Sequence, residues 1–197
     1  MSPAPSPAPW VIGETVPWAA PWSAEMEFRL EPSAVFPGQA EVVQLEAPGE
    51  GKPVLDGMHL LRQRRGVLQN LCHVCGRPTP RHDRYIFPIS TGGFTVLADG
   101  SERYATQVPP VHLACARRAQ AACPHLRRRY DQATRFPDKP GVVVFDANPP
   151  AHMEALAASL PPGGPVAFAY VRVHTAAFSR LVARLRRNAE GRDGEGA

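Results

Sequence analysis

The most specific chemistry in this 197-residue chain is carried by four cysteines and a few histidines. Cys72-His73-Val74-Cys75-Gly76 sets two thiols two residues apart, followed by glycine. A tight turn of this kind lets both sulfurs face one ion, and Gly76 supplies the positive φ that closes it. Further on, His112-Leu113-Ala114-Cys115 offers a second pair. Residues 116–122 favour helix, so this pair falls at a helix N-terminus, where the dipole favours thiolate over thiol. The spacing predicts Cys72, Cys75, His112 and Cys115 as ligands of one tetrahedral, structural Zn²⁺. His73, inside the turn, is less suited to ligation. Cys123 and His125 form a separate Cys-Pro-His eight residues past Cys115. Along a helix that is roughly 12 Å, too far to share an ion with Zn–S bonds of about 2.3 Å. Cys123 is expected as a buried thiol under the helix end. Its replacing His112 as fourth ligand, and two disulfides in place of a metal, are the alternatives. The Cys-x-x-Cys spacing and an N-terminus without a basic stretch and apolar core argue against disulfides.

These residues need elements to position them. Period-2 alternation over 25–30, a turn at Phe36-Pro37-Gly38 and an apolar run over 41–45 predict a β-hairpin. Residues 49–57 read as a linker. A short basic helix is expected over 58–70, with Arg62, Arg64 and Arg65 on its solvent side. Strands are expected over 85–89 and 94–97, with a return over 104–108 and turns at Gly92-Gly93 and Asp99-Gly100. The last third reads as a βαβα run. It has a strand over 142–145 and a helix starting at Pro150. A stop over 161–165 follows, then a strand over 166–173 and an amphipathic helix over 176–188. Asp146, at the end of its strand, is expected to cap a helix.

Turn, hairpin and ligand-bearing helix together resemble the treble-clef zinc fingers, over about residues 71–126. The knuckle with Cys123-Pro124-His125-Leu126 also resembles uncharacterised bacterial zinc-binding proteins. The expected fold class is therefore α+β. A treble-clef zinc module (58–136) is flanked by an N-terminal β-hairpin segment (25–57) and a C-terminal βαβα segment (137–190). Treble clefs include the HNH endonucleases, and His82-Asp83 followed by Pro88 and Gly92-Gly93 is similar to part of that family. The resemblance breaks where a nuclease needs its base: Arg84 stands in the position of the general-base histidine, and Ala116 where a metal-binding histidine is frequent. It implies a degenerate, non-cleaving relative. No phosphate loop, dinucleotide fingerprint or nucleophile elbow is present.

Composition bounds the rest. Proline numbers 23, about 12 % against a usual ~5 %, so much of the chain is loop. No apolar run is long enough to span a bilayer, and a cytoplasmic location is expected. Charge is divided unevenly. Residues 1–60 carry eight acidic groups against two basic ones, whereas residues 61–136 carry thirteen arginines against four acids. That basic middle can meet nucleic acid or the chain's own acidic front. Residues 1–24 are rich in Pro and Ala and are expected to be extended or disordered, as are 191–197. Trp10, Trp18 and Trp22 each follow a proline there; they dock either on this protein's own core or in a partner.

Two functions follow as expectations. One is a non-catalytic, zinc-stabilised protein-interaction or assembly module, contacting its protein partner through the tryptophans. The other is a DNA- or RNA-binding zinc finger using Arg62, Arg64, Arg65, Arg117, Arg118 and Arg127, Arg128, Arg129. A degenerate nuclease is a weaker third. No small-molecule substrate is evident from motifs.

Overall fold

A computed structural model describes residues 9–128, 132–149, 153–160 and 166–193. Mixed helix and sheet, as expected, it holds three small sheets. Strands β1 (Phe28–Pro32) and β2 (Ala40–Gln44) pair antiparallel in the register Phe28↔Gln44 to Pro32↔Ala40. Ser33 Oγ accepts from the Phe36 N–H and Gly38 takes φ +79° in the connecting turn. Helix α1 (Leu60–Gln69) starts at His59, whose Nδ1 accepts from the Arg62 N–H, and ends at Asn70 in the left-handed conformation. That is ordinary cap chemistry at both ends.

Strand β3 is only Tyr85–Ile86. The next pair, β4 (Gly93–Val96) and β5 (Glu102–Thr106), form a hairpin whose turn holds Asp99-Gly100. Helices α2 (Leu113–Ala122) and α3 (Pro124–Arg128) follow, then β6 (Thr134–Arg135) and β7 (Val142–Asp146). Helix α4 covers Glu154–Ser159, and the expected start at Pro150 and stop over 161–165 lie outside the described residues. The predicted strand over 166–173 is two strands, β8 (Val166–Ala167) and β9 (Ala169–Val173), and α5 (Ala176–Asp193) closes the chain. Helix α5 thus runs into the region expected to fray at 191, and residues 194–197 lie outside the described ones.

The break between β8 and β9 lets one run of chain serve two sheets. β8 pairs parallel with β2, while β9 sits between β5 and β7 in the order β4-β5-β9-β7, antiparallel to both. Arg64 of α1 donates to the Ala167 and Phe168 carbonyls at the break. Gln63 beside it accepts from the Tyr170 N–H and donates to the Tyr170 and Gln107 carbonyls, supplying the partner that β9 lacks there. Against β5, α5 packs Phe178 and Val182 onto Tyr104. His174 is buried in the same cluster among Tyr104, Phe136 and Phe178, and burial holds its imidazole neutral, down to about 3.

Two expectations are corrected here. The front of the chain is not a loose tail from residue 9 onward. Val16, Ala19, Ala20 and Trp22 are buried, and the Trp18 and Ala19 N–H groups donate to the Val74 and His73 carbonyls. Nor do Arg62 and Arg64 face solvent; they are 3 % and 4 % exposed. Arg62 pairs with Glu25, Arg64 lies 3.7 Å from Glu41, and Arg65, still half exposed, forms a two-pronged pair with Glu46. The acidic front and the basic middle are matched to each other along α1. Among the described residues no helix is long and apolar enough to cross a membrane.

Candidate metal centre

Cys72, Cys75, His112 and Cys115 converge, with their four ligand atoms all within 4.8 Å of one another. Cys72 and Cys115 are buried, and Cys75 and His112 are half-buried. Each is held by chain outside its own motif. The knuckle closes through Gly76 N–H to the Cys72 carbonyl and Cys72 N–H to the Arg77 carbonyl, both 2.8 Å. Its outer side is tied to residues 18–19, as above, and the His73 N–H donates to the Pro110 carbonyl, just ahead of the second ligand pair. That pair is fixed by Asp83, whose Oδ1 accepts from the Leu113 N–H at 2.8 Å and so caps α2. His112 lies at the N-cap position itself.

The imidazole is oriented as a ligand. Its Nε2 donates to the Pro78 carbonyl at 3.0 Å. The proton therefore sits on Nε2 and the lone pair on Nδ1, which lies 3.5 Å from Cys75 Sγ and 3.9 Å from Cys115 Sγ. A tetrahedral ion with bonds of about 2.3 Å to sulfur and about 2.0 Å to nitrogen separates such atoms by about 3.5–3.8 Å. The donor set therefore fits a single ion. A backbone carbonyl behind the ring that fixes its tautomer is the usual support for such a ligand.

The electrostatics agree. Burial pushes Cys115 up to about 12, with Cys72 and Cys75 beside it adding to the rise, and burial likewise raises Cys72. At Cys75 burial also works upward, but hydrogen bonds from the Arg77 backbone and side chain and from Cys72 and Cys115 bring it down to about 6. Three sulfurs this close resist sharing negative charge, and a cation between them removes the conflict. Arg118 reaches Cys115 Sγ at 3.7 Å and also donates to the Gly13 carbonyl, tying the front of the chain to the centre.

The remaining predicted residues scatter. Cys123 is the C-cap of α2 and is half-buried rather than fully buried. The four cysteines are all free thiols. Arg117 and Arg127 are exposed, whereas the side chain of Arg128 and all of Arg129 lie outside the described residues. Trp22 is 2 % exposed; Trp10 packs edge-on against it and stays 54 % exposed. Among the described residues the Asp146 carboxylate accepts from Asn148 N–H and Nδ2 and from Gln107 Nε2, and the helix start it was expected to cap lies outside them. His82 is exposed, and Asp83 is occupied as a helix cap, which leaves the nuclease-like stretch with a structural task.

Asp83 and Arg77 were not among the predicted site residues, and Trp18 and Arg118 were expected as partner and nucleic-acid contacts rather than as supports of this centre. Only Asp83 left a trace, as a carboxylate ahead of a helix, but the cap spans 30 positions and no local pattern marks it. Trp18 covers the knuckle so closely that a Cβ at Gly76 would lie 2.7 Å from its Cγ. Gly76 also holds φ +73°. Gly76→Ala is therefore expected to cost about 2 kcal/mol or more from strain and clash and to loosen the ion. Thermal melting, with a chromogenic chelator reporting metal release, measures both.

No protein-family model matches the chain, and neither a curated protein nor a solved structure matches it.

Proposed function

We propose that the chain is a zinc-stabilised, non-catalytic module for protein interaction or assembly. Three thiols and one imidazole are the donor set that favours Zn²⁺, and four protein donors leave no open position for a substrate. Knuckle, β4–β5 hairpin and the N-terminus of α2 follow one another in the order of a treble clef, and we read the module as one.

The observation that carries the interaction reading is strand β7. It is an edge strand, with no strand on its outer side among the described residues. Its Val142 and Val144, on one face, are 62 % and 40 % exposed. Edge strands that must stay single are commonly guarded by lysine, proline or a bulge, and Val142–Asp146 has none of these. Bare apolar side chains on an unguarded edge mark a contact surface. Trp10, Val11 and Ile12, exposed together at the front, are a second apolar group.

The rival nucleic-acid reading loses Arg62, Arg64 and Arg65 to internal pairs and keeps only Arg117, Arg118 and Arg127 among the described side chains. The test compares the wild-type chain with a Val142→Lys/Val144→Lys variant. Both are cross-linked in extract of the native host and sized as purified proteins. The wild type is expected to hold a protein partner or a second copy, and the variant to lose it while keeping one zinc. Identical size and identical cross-links for the two proteins would end the reading. Tight DNA or RNA binding that weakens steeply between 50 and 200 mM salt would replace it with the rival.

A further inference from the structure

Helix α5 carries arginines of two kinds. Arg186 turns inward, donating to the Pro88, Ile89 and Gly92 carbonyls and lying over the Phe94 and Tyr104 rings. Arg180, Arg184 and Arg187 are exposed. Spacings of four and three residues set them in one row on the solvent side. None of the three takes part in an ion pair among the described residues. Like charges so spaced repel one another, which is a standing cost to the isolated chain.

Beside this row a groove of about 570 Å³ runs between α5 and the segment 135–139. Ala177 and Leu181 form its α5 side. Arg180 and Arg184, each three residues on from one of them, continue that side outward. Arg135 and Lys139 stand on the opposite side, both exposed and both without an ion pair among the described residues. Phe136 and Phe178, 4 % and 5 % exposed, lie at the base. Asp138 is the one carboxylate among the described lining residues. An apolar strip thus lies between two basic rims.

These features select an occupant. Guanidinium forks grip carboxylates through paired hydrogen bonds, and the strip between the rims takes an apolar side chain. A nucleic-acid strand would need open ring faces for its bases. Phe136 is already beneath the Arg84 and Arg172 guanidinium groups, and Phe178 is packed against Tyr104 and His174. We propose that the groove docks an acidic segment of a protein partner. An apolar side chain of that segment sits on the strip, and carboxylates to either side of it pair with Arg135 and Lys139 on one rim and with Arg180 and Arg184 on the other. The proposal rests on the interaction reading only in taking the partner to be a protein, and it makes no use of Val142 or Val144.

Fluorescein-labelled peptides test it by anisotropy on the full-length, zinc-loaded chain. The probe is GEEDLFEELG. One control replaces its acids by the amides (GQQNLFQQLG), and another replaces its apolar residues by serine (GEEDSSEESG). Saturable one-to-one binding of the probe is expected at about 50 mM salt, weakening as salt rises. Each control should bind about tenfold more weakly, the amide control through loss of several exposed pairs that are each weak and the serine control through loss of apolar burial. Arg180→Glu/Arg184→Glu and, on the other rim, Arg135→Glu/Lys139→Glu should each lose the preference for the probe over its amide control while keeping zinc and melting temperature. Val142→Lys/Val144→Lys should bind the probe as the wild type does, so failure of the groove and failure of the β7 surface are told apart. The proposal is overturned by absence of saturable binding, by equal affinity for the probe and either control, or by tighter binding of a thymidine oligonucleotide of equal charge. Unchanged binding by either rim variant, or loss of binding by the β7 variant, overturns it as well. The wild-type comparison of the peptides decides the matter even where a variant fails to fold.

Discussion

Cys72→Ser is expected to abolish metal retention and to unfold the segment around it. Cys72 has no exposed surface and belongs to the same cluster as Val74, Phe87, Val111, Cys115 and Ala116. This cluster is small, and its members come from the knuckle, the residue after β3, the approach to the second ligand pair and α2. Among the described residues those pieces are joined by a β-bridge between Tyr85 and Val111, the Asp83 cap, and the His73–Pro110 and His112–Pro78 hydrogen bonds. A structural zinc site contributes on the order of 10 kcal/mol to folding, which exceeds what so small a core supplies. The wild type should carry one zinc per chain by elemental analysis. A strong chelator should lower its melting temperature and expose Cys115 to a thiol reagent. Cys72→Ser should behave like the chelated wild type from the start. Because residues 18–19 are hydrogen-bonded to the knuckle, fluorescence from Trp18 should move with the loss. A fully folded, metal-free Cys72→Ser protein would show that the cluster is held without an ion.

How far the sequence foretold this arrangement depends on the distance over which each interaction acts. The convergence of four candidate metal ligands was legible because metal chemistry imposes short, local spacings: Cys72 with Cys75, and His112 with Cys115. The β1–β2 hairpin, α1, α2 and α5 were legible from local periodicity and caps. What escaped was settled over long separations. Arg62 and Arg64 carry charge on a short helix, and charge usually faces water. They are buried because Glu25, Ala20 and the Ala167 and Phe168 carbonyls, up to a hundred positions away, meet them. The strand expected over 85–89 shrinks to Tyr85–Ile86 and pairs with β6, while the run over 166–173 breaks so that it can serve two sheets. Proline content marked residues 1–24 as loose. Proline excludes helix and central strand, but it does not prevent packing, and Trp18 and Trp22 supply the apolar area that brings the segment down onto the knuckle and α1.

The same interlock yields the second large effect, at Glu25. Its side chain has no exposed surface. Oε2 accepts from Arg62 Nη2 at 2.5 Å and from the Trp22 N–H at 2.7 Å, while Oε1 accepts from Arg62 Nη1 at 3.0 Å and from the Ala47 N–H at 2.9 Å. One carboxylate thus joins the front segment, the stretch after β2 and α1. Glu25→Ala removes four hydrogen bonds and strands a buried guanidinium, for which a loss of about 3–5 kcal/mol is expected. Arg62→Ala should cost a similar amount by stranding the carboxylate. The Glu25→Leu/Arg62→Met double variant should recover much of the loss, since removing both charges removes the desolvation penalty as well. Chemical denaturation of the four proteins measures the cycle. The pH dependence follows from the same contacts. Burial alone would raise the Glu25 carboxyl, but the Arg62 hydrogen bond and those from Trp22 and Ala47 outweigh it and hold the group below its ordinary 4.5. A carboxyl depressed in the folded state stabilises the fold above its unfolded value and loses that contribution as pH falls through the folded one. Stability should therefore decline from about pH 4.5 downward in the wild type, and this part of the decline should be absent from the double variant. An acid limb of equal depth in both proteins would assign it to other groups and leave Glu25 a neutral acid in the folded chain.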